Sequence, residues 1–320
     1  MLIKLREEIM NAILKKYPVP ITGLILGLAA AGNLVQSYGE IYRSIFGIIS
    51  AILFLLMLVK MFKFWGGVKE QLENPVVASV FPTFSMAVML LAGYLKPLSQ
   101  PISFALWCGG VILHLFLIVW FSKKYVLNFK IKQVFPSWFI VFVGIVVASV
   151  TAPAFKMIFV GKLTFWFGFI SYIVLLPIVI YRAVKVKEMP EPTLPTLIIF
   201  AAPASLLLAG YMNSFEAKSM GMVIFLMAVS ITMYIAVLTM LPKLLKLKFY
   251  PSYSSFTFPL VISGIAMKLA NGFLTKSGNT VKLLKYVVVF QEVLAVVLTI
   301  YVLYKYMNFL LSSPKEQASK

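Results

Sequence analysis

The chain has 320 residues, of which 61% are hydrophobic and only 12% are charged, and its mean hydropathy is +0.96. Soluble globular domains are about half apolar and about a quarter charged, so this composition excludes that class and indicates a polytopic membrane protein. The formal net charge of +19 does not indicate a nucleic-acid partner. The lysines stand singly or in pairs at the ends of apolar segments, as topology signals and anionic-lipid contacts do.

Ten apolar segments, each long enough to span a bilayer, follow one another along the chain. Residues 1–17 precede them as a charged, amphipathic, cytoplasmic lead-in, which we expect to belong to an uncleaved signal anchor. Residues 18–307 form one ten-helix transmembrane domain, and residues 308–320 a short cytoplasmic tail. We predict the spans at 18–37, 44–62, 77–95, 101–121, 134–153, 158–182, 194–213, 220–241, 253–273 and 283–307.

The distribution of lysine and arginine predicts the orientation in the membrane. Ten spans leave both termini on one side, and about 20 of the 29 basic residues flank the spans on that side. About 8 flank the spans on the opposite side, and Lys268 lies within the ninth span. Basic residues accumulate in cytoplasmic loops, so we expect both termini in the cytoplasm and the protein in the plasma or inner membrane.

Proline distinguishes the odd-numbered spans from the smoother even-numbered ones. Each odd span contains a proline, at intervals of 54–67 residues: Pro20, Pro82, Pro136, Pro203 and Pro259. Proline in a helix removes a backbone hydrogen bond and bends the axis. The freed carbonyl then needs a partner within the protein or a water-filled cavity.

A repeat of one helical hairpin per proline predicts an all-α architecture with a quasi-five-fold arrangement. Five hairpins in one orientation suggest a ring, with the kinked odd helices inside around a central pore and the even helices outside. The alternative is that these prolines have no common role, because proline is more frequent in membrane helices than in soluble ones.

Five hairpins, broken odd helices and the string Ser-Phe-Thr-Phe-Pro-Leu at 255–260 together resemble the tellurite-resistance/dicarboxylate transporter family. That family includes TehA-like bacterial proteins and the slow anion channels of plant guard cells. The resemblance covers nearly the whole chain and extends to Phe81-Pro82, Pro136-Ser137 and Ala202-Pro203-Ala204. It implies a pore through each subunit, lined by the five inner helices, and homo-oligomers that are usually trimers, with a dimer as the alternative.

The resemblance also implies that a phenylalanine of the ninth span closes the pore. Carried over by the motif, this residue is Phe258, directly before Pro259. Phe256 lies about 200° round the helix and is the less favoured choice. We expect kinks or pore-lining positions at Gly23, Pro82, Pro136, Pro203 and Pro259, and pore-lining hydroxyls at Ser85, Ser137, Ser205, Thr257 and Ser263.

Three ionisable residues lie within predicted spans. Lys268 departs from the neutral residue expected there, and it either extends to the outer interface or adds a positive charge at the outer mouth. For Glu292 and His114, in even-numbered spans, we expect a contact between helices or subunits rather than a proton relay.

A pore without acidic rings does not attract cations, and hydroxyl donors with basic mouths suit small anions such as chloride or nitrate. We therefore expect an anion channel occluded by Phe258. A secondary transporter of C4-dicarboxylates, or of oxyanions such as tellurite or sulfite, is the first alternative, but Arg6, Arg43 and Arg182 all flank spans and leave no arginine for a carboxylate clamp. A membrane sensor is the second alternative.

The sequence contains no motif of an enzyme. G-x-S-x-G, Walker A and H-E-x-x-H patterns are missing, and so is a paired-carboxylate arrangement for acid–base catalysis. A single histidine and a single cysteine cannot form a zinc site. We expect no catalytic activity, no metal and no cofactor.

Overall fold

The structure, a computed structural model, describes residues 2–312, and the regular secondary structure of this part of the chain is entirely helical, without β-strands. Its α-helices are α1 (Leu2–Lys16), α2 (Ile21–Val35), α3 (Glu40–Lys63), α4 (Trp65–Gln71), α5 (Pro75–Val80), α6 (Thr83–Leu95), α7 (Gln100–Phe121), α8 (Trp138–Phe142), α9 (Val147–Thr151), α10 (Ile158–Tyr181), α11 (Ala202–Ser214), α12 (Met220–Leu244), α13 (Phe258–Lys276) and α14 (Lys282–Leu311). The prediction of an all-helical membrane protein is confirmed.

The even-numbered spans are long, continuous helices: α3, α7, α10, α12 and α14. Only 28–39% of their most apolar stretches is buried, and they expose large apolar side chains such as Ile170 and Val174. Pro177 lies within α10 and Pro242 within α12, yet both helices continue past them. These helices present the apolar surface that a bilayer requires.

The odd-numbered spans are interrupted at their prolines. A turn at Pro18–Pro20 separates α1 from α2, and Phe81-Pro82 separates α5 from α6. The seventh and ninth spans begin as 3₁₀-helices, Glu191–Ala201 and Pro251–Phe256, and continue as α11 and α13. The most apolar stretches of these four spans are 67–83% buried. Proline withholds an N–H from the α-helical ladder, so a 3₁₀ turn or a break forms there.

The fifth span, predicted at 134–153 as one of the kinked odd helices, is divided further than the others. It consists of α8 and α9, five residues each, with 3₁₀ turns at Gly144–Val146 and Ala152–Phe155. Nine helices of the described chain are long and apolar enough to span a membrane, and this segment is not among them. Pro136 and Pro153 bound it, and Gly144 packs closely, since a Cβ there would lie 2.8 Å from the Met86 sulfur. Contacts with neighbouring spans therefore stabilise this segment, which lacks a continuous helical hydrogen-bond ladder.

The proline-containing segments contact one another in cyclic order: α2 with α6, α6 with α9, α9 with α11, α11 with α13, and α13 with α2. Each also packs against the long helix that follows it in the chain. Side-chain hydrogen bonds connect the same neighbours: Thr83 with Thr22 (2.7 Å), Ser79 with Ser137 (2.6 Å), Ser214 with the Ser149 carbonyl (2.7 Å), Ser205 with Ser263 (3.0 Å), and Thr257 with the Gly23 carbonyl (3.1 Å).

Two lysines form hydrogen bonds that attach α1 to the rest of the described chain. Lys60, only 2% exposed, donates from Nζ to the carbonyls of Leu14 (3.1 Å) and Lys15 (3.3 Å), where the C-terminal end of α1 carries partial negative charge. Lys16 donates to the Ser312 carbonyl (2.9 Å), which joins α1 to the end of α14. The predicted lead-in thus contains α1, and the predicted tail begins within α14. Met1 and residues 313–320 lie outside the described residues.

Candidate ion pathway

Two cavities lie one beyond the other among the five proline-containing segments. The first, here called the break cavity, has a volume of about 30 Å³ and lies at the helix breaks. Each segment contributes to its wall, for example Gly23, Thr83, Gly144, Pro203 and Phe258. A volume of this size holds about two water molecules.

The second cavity, here called the vestibule, has a volume of about 360 Å³. It too is lined from all five segments, at positions further along each of them, such as Ala30, Leu90, Val147, Asn213 and Ile265. The five segments run in the same direction, so the vestibule lies beyond the break cavity along their common axis.

Phe258 and Leu206 line both cavities and therefore lie between them. Phe258 is the first residue of α13 and is 7% exposed. Phe256, by contrast, is fully buried, and its ring packs 4.9 Å from that of Tyr253, outside the lining of either cavity in the described chain.

The contact between the first and ninth spans fixes the start of α13. Thr257 Oγ1 lies 2.7 Å from the Ser254 carbonyl and 3.1 Å from the Gly23 carbonyl, so its hydroxyl bridges the two spans. Gly27 packs against the same threonine, and a Cβ at position 27 would also lie 3.1 Å from the Phe258 backbone nitrogen. Glycine at this position allows the backbones to approach, which holds Phe258 between the cavities.

The predicted kink residues divide into two groups. Gly23, Pro203 and Pro259 line the break cavity together with Phe258. Pro82 and Pro136 interrupt their segments but lie outside the described lining of both cavities. The structure therefore brings together the breaks of the first, seventh and ninth spans around Phe258.

The predicted hydroxyls lie elsewhere than expected. All five are buried and outside the described lining of both cavities: Ser85, Ser137, Ser205, Thr257 and Ser263. Ser263 Oγ donates to the Pro259 carbonyl (2.8 Å), and Ser205 Oγ donates to the Ala201 carbonyl (2.7 Å). Both bonds run back to the carbonyl four residues earlier, as serine hydroxyls in helices commonly do. The same two hydroxyls lie 3.0 Å from each other, and Ser205 Oγ lies 2.7 Å from Ser230 Oγ. These residues stabilise the breaks and join the segments.

His114 is part of the same pattern. Its Nδ1 lies 2.8 Å from Ser85 Oγ, which is also 2.8 Å from the Pro82 carbonyl, and its Nε2 donates to the Val141 carbonyl (3.1 Å). The histidine therefore joins α7 to the third and fifth spans, a contact between helices of the kind that the sequence suggested.

Ser255 is a polar lining residue that the sequence analysis did not identify. It lines the break cavity, and its Oγ is buried without a hydrogen-bond partner among the described residues. Thr83 also lines this cavity, but its hydroxyl already contacts Thr22 Oγ1 and the Val80 carbonyl. Ser255 is the first residue of the string at 255–260, and its position in that string was the available signal.

Lys268 lines a further cavity of about 320 Å³, which adjoins the vestibule at Asn33 and Ile265, and its charge is paired. Its Nζ is 2.5 Å from Glu292 Oε1 and also donates to Ser37 Oγ (2.7 Å) and the Leu34 carbonyl (3.2 Å). Glu292 is 5% exposed, and its second carboxylate oxygen accepts from the Tyr38 hydroxyl (2.7 Å). The pair spans the α13–α14 hairpin, so this lysine is compensated by a buried carboxylate.

A protein-family comparison matches residues 16–307 to the family described as voltage-dependent anion channel, SLAC1. The chain belongs to this family. The match confirms the resemblance found in the sequence and covers all the helices that surround the two cavities. Two proteins of Methanocaldococcus jannaschii, each described as an uncharacterized transporter, are also similar. One is 25% identical over 247 residues (67% of this chain, 70% of the relative), the other 25% over 246 residues (66% and 69%).

Family membership identifies the chain as a multi-pass membrane protein that is a channel or transporter of anions. The family and the two relatives point to transport rather than to catalysis. Membership of this family implies that the substrates are anions and that the protein lies in a lipid bilayer.

Proposed function

We propose that the protein is a channel that conducts small anions, such as chloride or nitrate, through a pathway within each protomer. The pathway follows the axis of the five broken segments, from the break cavity into the vestibule. The observation that carries the proposal is that Phe258 lines both cavities. Together with Leu206 it separates them, and an apolar side chain in a narrow passage blocks ions by excluding water.

The chemistry of the two cavities favours anions. The described residues that line them include no carboxylate, whereas hydroxyl and amide donors are present at Ser255, Asn33 and Asn213. Donors of this kind hold an anion weakly, so it can leave again, and selection among anions then follows the cost of dehydration.

The orientation and assembly belong to the same proposal. The excess of basic residues at one end of the spans supports cytoplasmic termini in the plasma or inner membrane, with the break cavity toward the cytoplasm and the vestibule toward the outside. We propose a homo-oligomer, with the trimer favoured by the family resemblance, in which each protomer conducts by itself.

The test is anion flux into liposomes for the wild type and Phe258→Ala, with Phe256→Ala as the matched control. Removal of the Phe258 ring joins the two cavities, so we expect a flux at least tenfold above the wild type with anion-over-cation selectivity retained. Phe256→Ala removes an equally large ring outside the pathway and should leave the flux within about twofold. Equal fluxes in both variants, with both folded, would refute the role of Phe258.

A carrier of C4-dicarboxylates or oxyanions is the second candidate, because the two Methanocaldococcus jannaschii relatives are described as transporters. A carrier saturates with substrate and catalyses exchange, whereas a channel does neither. Counterflow of labelled malate, tellurite or sulfite in the same liposomes distinguishes the two. Transient accumulation of the labelled anion inside liposomes preloaded with the unlabelled anion supports the carrier. Equilibration of the labelled anion without accumulation supports the channel.

A further inference from the structure

A crevice of about 360 Å³ separates the first two hairpins on the outer face of the molecule. Its walls come from α3, α4 and α7, and its floor from the break between α5 and α6. The floor consists of Phe81 and Phe84, which are almost fully buried, and the rim carries Trp65 and Phe116, which are 50% and 62% exposed. A volume of this size lies within the range of pockets that bind small molecules.

The crevice is polar at one end and apolar along its length. Lys69, Lys124, Trp65 and Trp120 surround one end. Leu113 precedes Lys124 by eleven residues, or about 16 Å along a helix, and belongs to the apolar part of the crevice. Tryptophan and lysine at one level, followed by hydrocarbon, mark the boundary between lipid headgroups and acyl chains.

The charges at the polar end have a net positive sign. Lys124 Nζ lies 2.7 Å from the Glu73 carboxylate, which neutralises one of the two lysines. Lys69 is exposed and forms no ion pair with a carboxylate of the described chain. The neighbouring helix ends add Lys63 and Lys123, both exposed, and these outnumber the one further carboxylate nearby, the exposed Glu70 of α4. A basic cluster at this depth attracts anionic lipid headgroups.

We propose that this crevice binds one anionic phospholipid. Its phosphate contacts Lys69 and Lys124, and one hydrocarbon chain lies along Phe116 and Leu113 toward Phe84. A second copy of the chain fits less well, because it would bury both lysines without supplying their charge partners, which is costly in a low-dielectric interface.

The floor of the crevice connects this lipid to the pathway. The rings of Phe81 and Phe84 stack at 5.7 Å, on the crevice side of the Phe81-Pro82 break. Val80 and Thr83, which flank the same break, line the break cavity. A lipid chain on one face therefore stabilises the break geometry that shapes the other face. This second step rests on the proposed function, whereas lipid binding does not.

Lipid binding is measured on the full-length protein by native mass spectrometry with phosphatidylglycerol and with phosphatidylcholine. The variants are Lys69→Gln/Lys124→Gln, which removes the charges, and Leu113→Trp, which fills the crevice. The control is Lys243→Gln/Lys246→Gln, two exposed lysines at the end of α12. We expect preferential retention of phosphatidylglycerol, reduced about fivefold per lysine in the double variant, largely lost in Leu113→Trp, and unchanged in the control.

Equal retention in all four proteins, or no preference for phosphatidylglycerol, would overturn the site. A change of oligomeric state in Leu113→Trp with lipid retention unchanged would assign the crevice to a contact between copies instead. For the coupling, we expect flux of the wild type to differ at least threefold between phosphatidylglycerol and phosphatidylcholine liposomes, and this difference to vanish in the double lysine variant. Retained lipid without that difference refutes the coupling alone, whereas an inert Phe258→Ala refutes the proposed pathway.

Discussion

Gly27 and Thr257 approach each other so closely that a Cβ at position 27 would lie 2.3 Å from the Thr257 hydroxyl oxygen. This contact joins the first span to the ninth, immediately before Phe258. The position of the ring between the two cavities therefore depends on a side chain that is missing from a residue more than two hundred positions earlier in the chain.

Gly27→Ala should move the start of α13 and open the pathway partially. The added methyl group overpacks the contact, at a cost of about 1–3 kcal/mol, and the strain is relieved by displacement of Thr257 and Phe258. We expect resting anion flux several times that of the wild type, measured in liposomes. Gly272→Ala, in α13 itself but with open space around its Cβ position, is the control and should not leak. Leakage of equal size in both variants would contradict this account.

Glu292→Gln should raise anion flux at low salt. The amide keeps a hydrogen-bond acceptor for Lys268 but removes the charge that compensates it, so the cavity adjoining the vestibule gains one net positive charge. The Debye length falls from about 30 Å at 0.01 M to about 3 Å at 1 M, and the gain should disappear across that range of ionic strength.

The reverse change tests the same pair. Lys268→Met leaves a buried carboxylate without its cation, which should cost about 3–5 kcal/mol of stability and lower anion flux. Lys268→Met combined with Glu292→Met removes both charges and should return stability and low-salt flux toward the wild type. If the double variant is as unstable as Lys268→Met, the carboxylate is not the cause.

Ser255→Ala should change selectivity among anions without loss of stability. Its hydroxyl has no described hydrogen-bond partner, so its removal breaks no bond within the described chain. It does remove a donor from the wall of the break cavity, and we expect strongly hydrated anions to lose permeability relative to weakly hydrated ones. Reversal potentials in the Phe258→Ala background measure this ratio. Ser79→Ala, which loses the bond to Ser137, is the converse control: reduced stability with an unchanged ratio.

Ser263→Ala should destabilise the protein by about 1–3 kcal/mol, because its buried hydroxyl contacts the seventh span, at the Ala201 carbonyl (3.1 Å) and at Ser205 Oγ (3.0 Å). Thermal unfolding in detergent measures the change. Thr232→Ala is the matched control, since that exposed hydroxyl donates only within its own helix, to the Ala228 carbonyl. Equal unfolding temperatures for the two variants would show that the break does not depend on Ser263.

The helical segments and the family could be predicted because their signals are local. Apolar length and the prolines at 20, 82, 203 and 259 identified the interrupted spans directly. For the fifth span, proline predicted an interruption but not the division into two short helices, because packing of Gly144 against the third and fourth spans contributes to its conformation. Such a contact is invisible in the periodicity of a single segment.

Side-chain partners were harder to predict than helices. A serine next to a proline break can face a cavity or bond to a carbonyl of its own helix, and hydropathy does not distinguish the two arrangements. The ion pair between Lys268 and Glu292 crosses two helices, so its formation depends on how the last hairpin packs. The sequence identified both residues as charges that are energetically unfavourable within a membrane span. That they form an ion pair depends on how α13 and α14 are aligned, which the sequence does not give.

The interrupted spans have a consequence for membrane insertion. The four of them that are long enough to span have mean hydropathies of 1.3–1.9 in their most apolar windows, against 2.2–2.6 for the five continuous helices. In each of these four hairpins the less hydrophobic segment is synthesised first. We therefore expect the more hydrophobic helix that follows to stabilise its insertion in the bilayer. The hydroxyl of Thr257, near the end of synthesis, finally closes the cycle on Gly23. In a chain that ends before the ninth span, the cycle of contacts stays open between the first and seventh spans.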